Sequence, residues 1–396
     1  MATALYTLSS ALHNELCRDV REDPFIREIQ AETGEEFLFE GEDFSSYGTH
    51  GKDLIYIRTG GTEGLFKKLG LKGEILLLTS GKSNSLAASM EILAWLRSRG
   101  QEGEILHGHP AKIAERLKAA GSACAADTIP SATAFVQPLP KIDLGGVRLG
   151  VIGKPSDWLI ASDVDYADVR ARLNAELVDV PMEELLDELK ARAVSGTDAV
   201  DLRSFKGSEL IYEALRGIIV RHRLGGITIR CFDLLDTVHN TGCLALARLN
   251  AEGIPSSCEG DIPALLTMVW LQQTYGCPGF QCNLSRIDGD NLLFAHCTVP
   301  LSMVRSYSYM THFESGIGTA IKGELPETEA RICKFSPDLR SVASIPCRIV
   351  RNLSEPSLCR TQILVQAPGA SEYFLRAPLA NHHIISVDAA GPGLEK

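Results

Sequence analysis

The sequence predicts an α/β protein: two doubly wound α/β domains followed by a small β-rich, antiparallel barrel-like domain at the C-terminus. Three observations carry that expectation. Short apolar runs, Gly-rich polar loops and amphipathic stretches alternate through the first 145 residues; the same order restarts at Arg148; and beyond about residue 300 helical periods give way to short β-rich runs split by turn residues. Strand, polar loop, helix is the order of βαβ units on a parallel sheet. The expected domains are 1–145, 146–300 and 301–396.

In the first domain, residues 53–58 and 75–78 form near-continuous apolar runs of strand length, as buried parallel strands do. Turn chemistry follows each: Thr59-Gly60-Gly61-Thr62-Glu63-Gly64, then Thr79-Ser80-Gly81-Lys82-Ser83-Asn84-Ser85. A helix is expected over 86–97, and Gln137-Pro138-Leu139-Pro140-Lys141 reads as a linker. The second domain opens with a strand over 148–153 and the loop Lys154-Pro155-Ser156-Asp157-Trp158. Helices are expected over 182–194, 207–221, 240–252 and 262–275, with Pro263 allowed in a first turn, and a buried strand over 227–232. The third domain shows strand runs at 330–335, 347–350 and 361–365.

With 396 residues and 45% hydrophobic content the chain suits two or three soluble domains. A net charge of −11 without a basic run argues against a nucleic-acid surface. The N-terminus lacks the basic start and apolar core of a secretory signal, and no apolar run approaches the roughly 20 residues that span a bilayer. Eleven cysteines without a CxxC pair indicate neither a disulfide framework nor a zinc ribbon. Free thiols imply a reducing compartment, so a cytoplasmic location is expected.

Reactive side chains concentrate between 250 and 300, in Cys258-Glu259-Gly260-Asp261, Cys282-Asn283 and His296-Cys297, and again in Asn381-His382-His383. Carboxylate, amide oxygen and imidazole suit a hard-to-borderline divalent cation such as Mn²⁺, and their separation means that only a tertiary fold brings them together. Glu259 follows an expected strand and starts a helix, where it is either catalytic or a cap; capping alone would explain Asp261. Tandem histidines on a strand point to opposite faces, so at most one of His382 and His383 enters a shared site. The loops at Thr59 and Ser80 could cradle an anion, but lack nucleotide-binding spacing and read equally well as Ser-capped turns. His107-Gly108-His109 reads more readily as a polar loop than a metal site, and His13, His50 and His222 as surface residues. Cys258, Cys277, Cys282 and Cys297 read as buried structural thiols.

Taken together, Cys258-Glu259-Gly260-Asp261, Asn283, His296, Thr311-His312-Phe313-Glu314-Ser315-Gly316-Ile317-Gly318 and Asn381-His382-His383 resemble the fucose isomerase and arabinose isomerase superfamily. The resemblance spans about residues 225–390; before that it rests on element order and loop style, and the chain is shorter than the classical members. It implies a metal-dependent aldose–ketose isomerase working through an ene-diolate on a free or modified monosaccharide. It further implies a divalent metal, Mn²⁺ foremost with Mg²⁺ or Co²⁺ as alternatives, and a homo-oligomer, a trimer or hexamer with active sites near subunit interfaces. Glu259 would bind the metal and move the proton, with Asp261 a second catalytic candidate; Asn283, His296 and His383 would complete the metal ligands. Arg230, Arg286, His382, Ser80, Lys82 and Ser83 are the expected substrate contacts. The chemistry needs a carboxylate to shuttle a C–H proton while a metal holds the developing oxyanion. Asn283 departs from the pattern, standing where fucose isomerases place an aspartate, and an amide exchanges no proton. Asp261, Asp288 or Glu314 would have to substitute, or the reaction is a lyase or epimerase step on the same enediolate, or the chain is a non-catalytic sugar-binding module.

Overall fold

In the computed structural model, residues 2–10, 19–119, 132–194 and 199–387 are described. Five parallel strands, β1 (Thr3–Leu8), β2 (Phe37–Gly41), β3 (Lys52–Ile57), β4 (Ile75–Leu78) and β5 (Gly103–Leu106), form the first sheet in the order β2-β1-β3-β4-β5. Strand β6 (Val136–Pro138) leads out of this unit. The second parallel sheet contains β7 (Val147–Ile152), β8 (Ala175–Val180), β9 (Gly226–Ile229) and β10 (Ser256–Ser257), in the order β10-β9-β7-β8. In each sheet the order reverses once, beside β1 in the first and beside β7 in the second, and the carboxyl ends at such switch points are where open α/β sheets bind ligands.

The remaining strands are antiparallel: β11 (Phe280–Asp288), β12 (Asn291–His296), β13 (Ser306–Met310), β14 (Ala320–Glu324), β15 (Glu329–Phe335), β16 (Ser341–Asn352), β17 (Thr361–Gln366) and β18 (His383–Ser386). The order β15-β18-β11-β12-β17-β16 is closed by pairing of β16 back onto β15, giving a six-stranded barrel; β13 and β14 form a separate hairpin. The mixed α/β architecture with a β-rich C-terminal part is thus present, but its boundary differs from the expectation. Residues 280–296, assigned from sequence to the second α/β domain, are barrel strands, because β11 pairs antiparallel with both β12 and β18. The expected linker at 137–141 also starts as a strand: Val136–Pro138 pairs with Ser341–Ala343 at the outer edge of β16, a position where proline is tolerated.

Two helices join the three parts. Ser85–Ser98, buried from Ser85 through Ala94, packs against β3, β5 and β11; Ile262–Tyr275, buried from Ile262 through Leu271, packs against β9, β15 and β18. Helices apolar on every face belong inside a protein, and each fully buried Leu or Ile side chain on them contributes about 1.5–3 kcal/mol. No helix of the described residues is long and apolar enough to cross a membrane.

Candidate active site

The loops leaving the carboxyl ends of the parallel strands converge. After β3 come Gly60, Gly61 and Glu63; after β4, Asn84; after β7, Trp158; after β9, Phe232; after β10, Glu259. The barrel adds Asn283 from β11, the loop before β14 adds Glu314, and Asn381 precedes β18. Together they line a cleft that opens to solvent, with about 50 Å³ of water-accessible space at its base.

Glu259 is the centre of this arrangement. Its backbone lies in the left-handed region, with φ of 65°, followed by Gly260 at 71°. Such a conformation costs a non-glycine residue about 1–3 kcal/mol and persists only where the surroundings enforce it. Here the enforcement is visible. Gly260 N–H donates to the Ile229 carbonyl at 2.9 Å, Ser156 N–H donates to the Glu259 carbonyl at 3.1 Å, and a Cβ on Gly260 would sit 2.6 Å from the Lys154 carbonyl oxygen. The carboxylate is thereby aimed inward. Its Oε2 accepts from Trp158 Nε1 at 2.7 Å; its Oε1 lies 3.3 Å from His382 Nε2 and 3.9 Å from His296 Nε2. The His382 contact is an ion pair without hydrogen-bond alignment.

Behind Glu259 runs a chain of buried charge. Asp261 caps the helix Ile262–Tyr275 by accepting from Ala264 N–H at 2.7 Å, while its Oδ2 accepts from His382 Nδ1 at 2.9 Å and faces Lys334 Nζ at 3.4 Å. Burial by itself would raise the Glu259 carboxyl, but the charge of His382 and the contact with His296 outweigh it and hold that carboxyl well below its usual range. Burial opposes the charged form of His382 as well; the Glu259 charge and the hydrogen bond to Asp261 overcome it and carry the imidazole up to about 10.

That raised value has a consequence for stability. The folded state holds the His382 proton more tightly than the unfolded chain, whose histidine titrates near 6.5. The stabilisation is complete below about pH 6.5 and is lost as pH rises towards about 10. Metal-free wild-type protein is therefore expected to lose stability over that window more steeply than His382→Gln, read as the urea midpoint at successive pH values. Parallel curves would mean that His382 is buried neutral.

Four oxygens facing this region have no donor on the protein: Glu63 Oε2, Asn84 Oδ1, Asn283 Oδ1 and Asn381 Oδ1. The lining carries three carboxyl groups, Glu63, Glu259 and Glu314, and no lysine or arginine among the described residues. Burial pushes Glu63 up to about 8 and raises Glu314, with neighbouring glutamates adding to both. Buried acceptors without donors are costly unless a ligand satisfies them. The cleft is thus built for a cation, for a molecule rich in hydroxyl donors, or for both.

Cys258, Glu259 and His296 could together hold a metal ion, with one donor atom from each lying within 4.8 Å of the others. The Cys258 thiol, 3.0 Å from Cys231 Sγ, is pushed well above its usual value by that contact and by burial, so carboxylate and imidazole are the readier donors. Asn283 Oδ1, buried and unpartnered, lines the same cleft.

Of the residues singled out in the sequence, Glu259, Asn283, His296 and His382 are brought together here. His383 is not. Strand alternation turns it the other way, where Nε2 bonds the Tyr373 hydroxyl at 2.8 Å and Nδ1 bonds the Asn381 carbonyl at 2.8 Å. Burial pushes its imidazole down to about 3, a neutral structural ring with both nitrogens engaged. Asp261 is fully buried behind Glu259 and serves as cap and partner of His382. Arg230 is engaged by Asp157, Asp233 and the Pro155 carbonyl, and so ties down the loop that carries Trp158. Arg286 pairs with Glu355 on the outside of the barrel. In the Ser80-Gly81-Lys82-Ser83 loop, Lys82 is exposed and the Ser83 carbonyl accepts from Gly60 N–H; the next residue, Asn84, is the one that reaches the cleft. His107 is structural, bonding the Thr79 carbonyl and accepting from Ile287 N–H. Glu63, Asn84 and Trp158 went unrecognised as site residues in the sequence, although all three lie in the loops that follow its strand runs.

No family model matches the chain, and no curated protein is similar enough to be a relative.

Proposed function

We propose that this chain is a divalent-metal-dependent aldose–ketose isomerase acting on a monosaccharide. One observation supports the reading above others: Glu259, held ionised, opens on a cleft whose buried oxygens lack donors and whose neighbours include His296 and Asn283. An isomerase needs a carboxylate to move a proton between adjacent carbons, acceptors to read hydroxyl groups, and a donor set for an ion. Glu259, His296 and Asn283 would hold that ion, with Mn²⁺ favoured on nitrogen and oxygen donors and Mg²⁺ or Co²⁺ as alternatives. When bound, the ion would stabilise the negative charge developing on the substrate oxygens. Glu259 takes and returns the proton; Trp158 fixes the plane of its carboxylate; His382 keeps it ionised until substrate arrives.

The test is ketose formation from a panel of aldoses with added Mn²⁺, together with solvent-deuterium incorporation at C2. Isomerisation and exchange are expected for at least one free aldose. Absence of both across the panel would remove this reading. Asn283, an amide where the resemblance expects a carboxylate, favours a lyase or epimerase step on the same enediolate as the second reading, and cleavage or C2-inverted products in the same assay would reveal it. Asn283→Asp is expected to tighten Mn²⁺ binding in calorimetry, since an anionic oxygen replaces a neutral one; equal or weaker binding would place Asn283 outside the ligand set. A trimer or hexamer belongs to the same proposal, favoured by the exposed Tyr307, Tyr309 and Met310 of β13 beside Phe205. Light scattering at micromolar concentration is expected to give a multiple of 43.0 kDa, and a fully active monomer would refute it.

A further inference from the structure

Resting on the isomerase reading above, we propose that Glu63 is the acid that completes proton transfer, exchanging a proton with the substrate's carbonyl and hydroxyl oxygens while Glu259 works on carbon. An amide at position 283 cannot do this, so another carboxyl group must face the cleft with an oxygen to spare. Asp261 has both oxygens engaged, by Ala264 on one side and by His382 and Lys334 on the other. Glu91 likewise accepts from Ala161 N–H, Ser162 Oγ and Asn381 N–H. Asp288 is exposed beside a hairpin turn. Glu314 lines the cleft with one oxygen free, but its Oε1 accepts from Asn84 Nδ2 at 2.6 Å, and that bond and the neighbouring His312 both favour its charged form.

Glu63 is different. It is 2% exposed, it lines the cleft with Glu259, and its Oε2 meets no donor. Its own backbone N–H is the one donor acting on the group; a buried carboxylate with an unpartnered oxygen and no cation beside it is disfavoured as an anion. The charged groups acting on it are Glu91, Glu259 and Glu314, all acidic, whereas the positive charges of the buried network, His382 and Lys334, are taken by Glu259 and Asp261. Glu63 therefore keeps its proton, and its O–H faces the space as an acid donor. Local backbone holds it there: Gly60 packs so closely on Asn84 that a Cβ would come within 3.1 Å of the Asn84 Cβ, and Gly61 turns at φ of 74° to start the helix Glu63–Leu69.

The proton inventory balances. Glu259 takes the proton from C2, the freed C–H pair becomes the C1=C2 bond, and the carbonyl π pair takes the Glu63 proton at O1, giving an enediol. The O2 proton then passes to Glu63 as C2=O forms, and the C1=C2 pair takes the proton back from Glu259 at C1. Both carboxyl groups end as they began, and no oxidant or reductant is consumed.

Three measurements on the full chain test this. Glu63→Gln is expected to remove one protonated-carboxyl carbonyl band from the neutral-pH infrared spectrum, to leave Mn²⁺ affinity unchanged in titrations with the metal alone, and to lower kcat for the sugar isomerised by wild type by about 10²–10⁴-fold with little change in KM. Glu63→Asp, which keeps an acid, should recover part of that loss; it also serves if the glutamine variant fails to fold. An unchanged infrared spectrum, loss of Mn²⁺ binding, or an unchanged kcat would each overturn the assignment. A wild type inactive on every sugar, with the infrared band still lost in Glu63→Gln, would instead overturn the isomerase reading while showing that Glu63 holds its proton.

Discussion

Glu259→Gln is expected to fold as wild type does, to bind sugar, and to lose about 10²–10⁴-fold in turnover, the usual cost of removing a positioned general base. The substitution preserves shape, and the glutamine oxygen can still accept from Trp158 Nε1, which donates to Glu259 Oε2 at 2.7 Å. What disappears is the capacity to accept a proton and the negative charge that faces His382 Nε2 at 3.3 Å. The imidazole should consequently titrate lower, because the Glu259 charge is the foremost influence that raises it. Activity must be measured at saturating Mn²⁺, since an amide is also a poorer ligand and a binding defect would otherwise imitate a proton-transfer defect. Solvent-deuterium incorporation at C2 separates the two. Exchange that continues at the wild-type rate with metal bound would place the base elsewhere in the cleft, and Glu63 and Glu314 would then be the next carboxyl groups to test.

How much of this was legible in the sequence follows from the range of the interactions concerned. Buried strands such as Ile75–Leu78 and helices such as Ile262–Tyr275 declare themselves because their apolar patterns are local. Glu259 was visible too, because its place between a strand end and a Pro-containing helix start is local in the sequence. The choice between His382 and His383 was not visible. Alternation says only that they part company, and the side that each takes is set by where β18 docks, with Cys282 opposite His383 and Gln281 opposite Ile384. The barrel boundary failed for a similar reason. Strands β11 and β12 are apolar enough to be buried in either kind of sheet, and only their partners, distant in sequence, make them antiparallel. Glu63 and Asn84 carry no local signal, since each lies in or beside a Gly- or Ser-rich loop and only the tertiary fold brings it to the cleft.

Lys334→Met is expected to be the most destabilising single change in the network behind the site. Lys334 and Asp261 are both completely buried, with Nζ 3.4 Å from Oδ2. Removing one partner of a buried pair leaves the other's charge uncompensated and typically costs about 3–5 kcal/mol. Met matches the lysine stem closely, so a cavity contributes little, and the loss read in urea unfolding should be electrostatic. Glu91 would suffer as well, since the Lys334 charge offsets part of the effect of burial on its carboxyl. The double variant Lys334→Met with Asp261→Asn discriminates this account from simple disruption of packing. Asn still caps the helix but carries no charge to strand, so the double variant should be less destabilised than the sum of the singles, by a coupling of about 0.5–3 kcal/mol. Strict additivity, or a Lys334→Met loss within about 0.5 kcal/mol of zero, would mean that the pair is electrostatically idle. If the coupling is present, it supports one chain of charge: Lys334 keeps Asp261 ionised, Asp261 helps to hold His382 as an imidazolium, and His382 keeps Glu259 ionised.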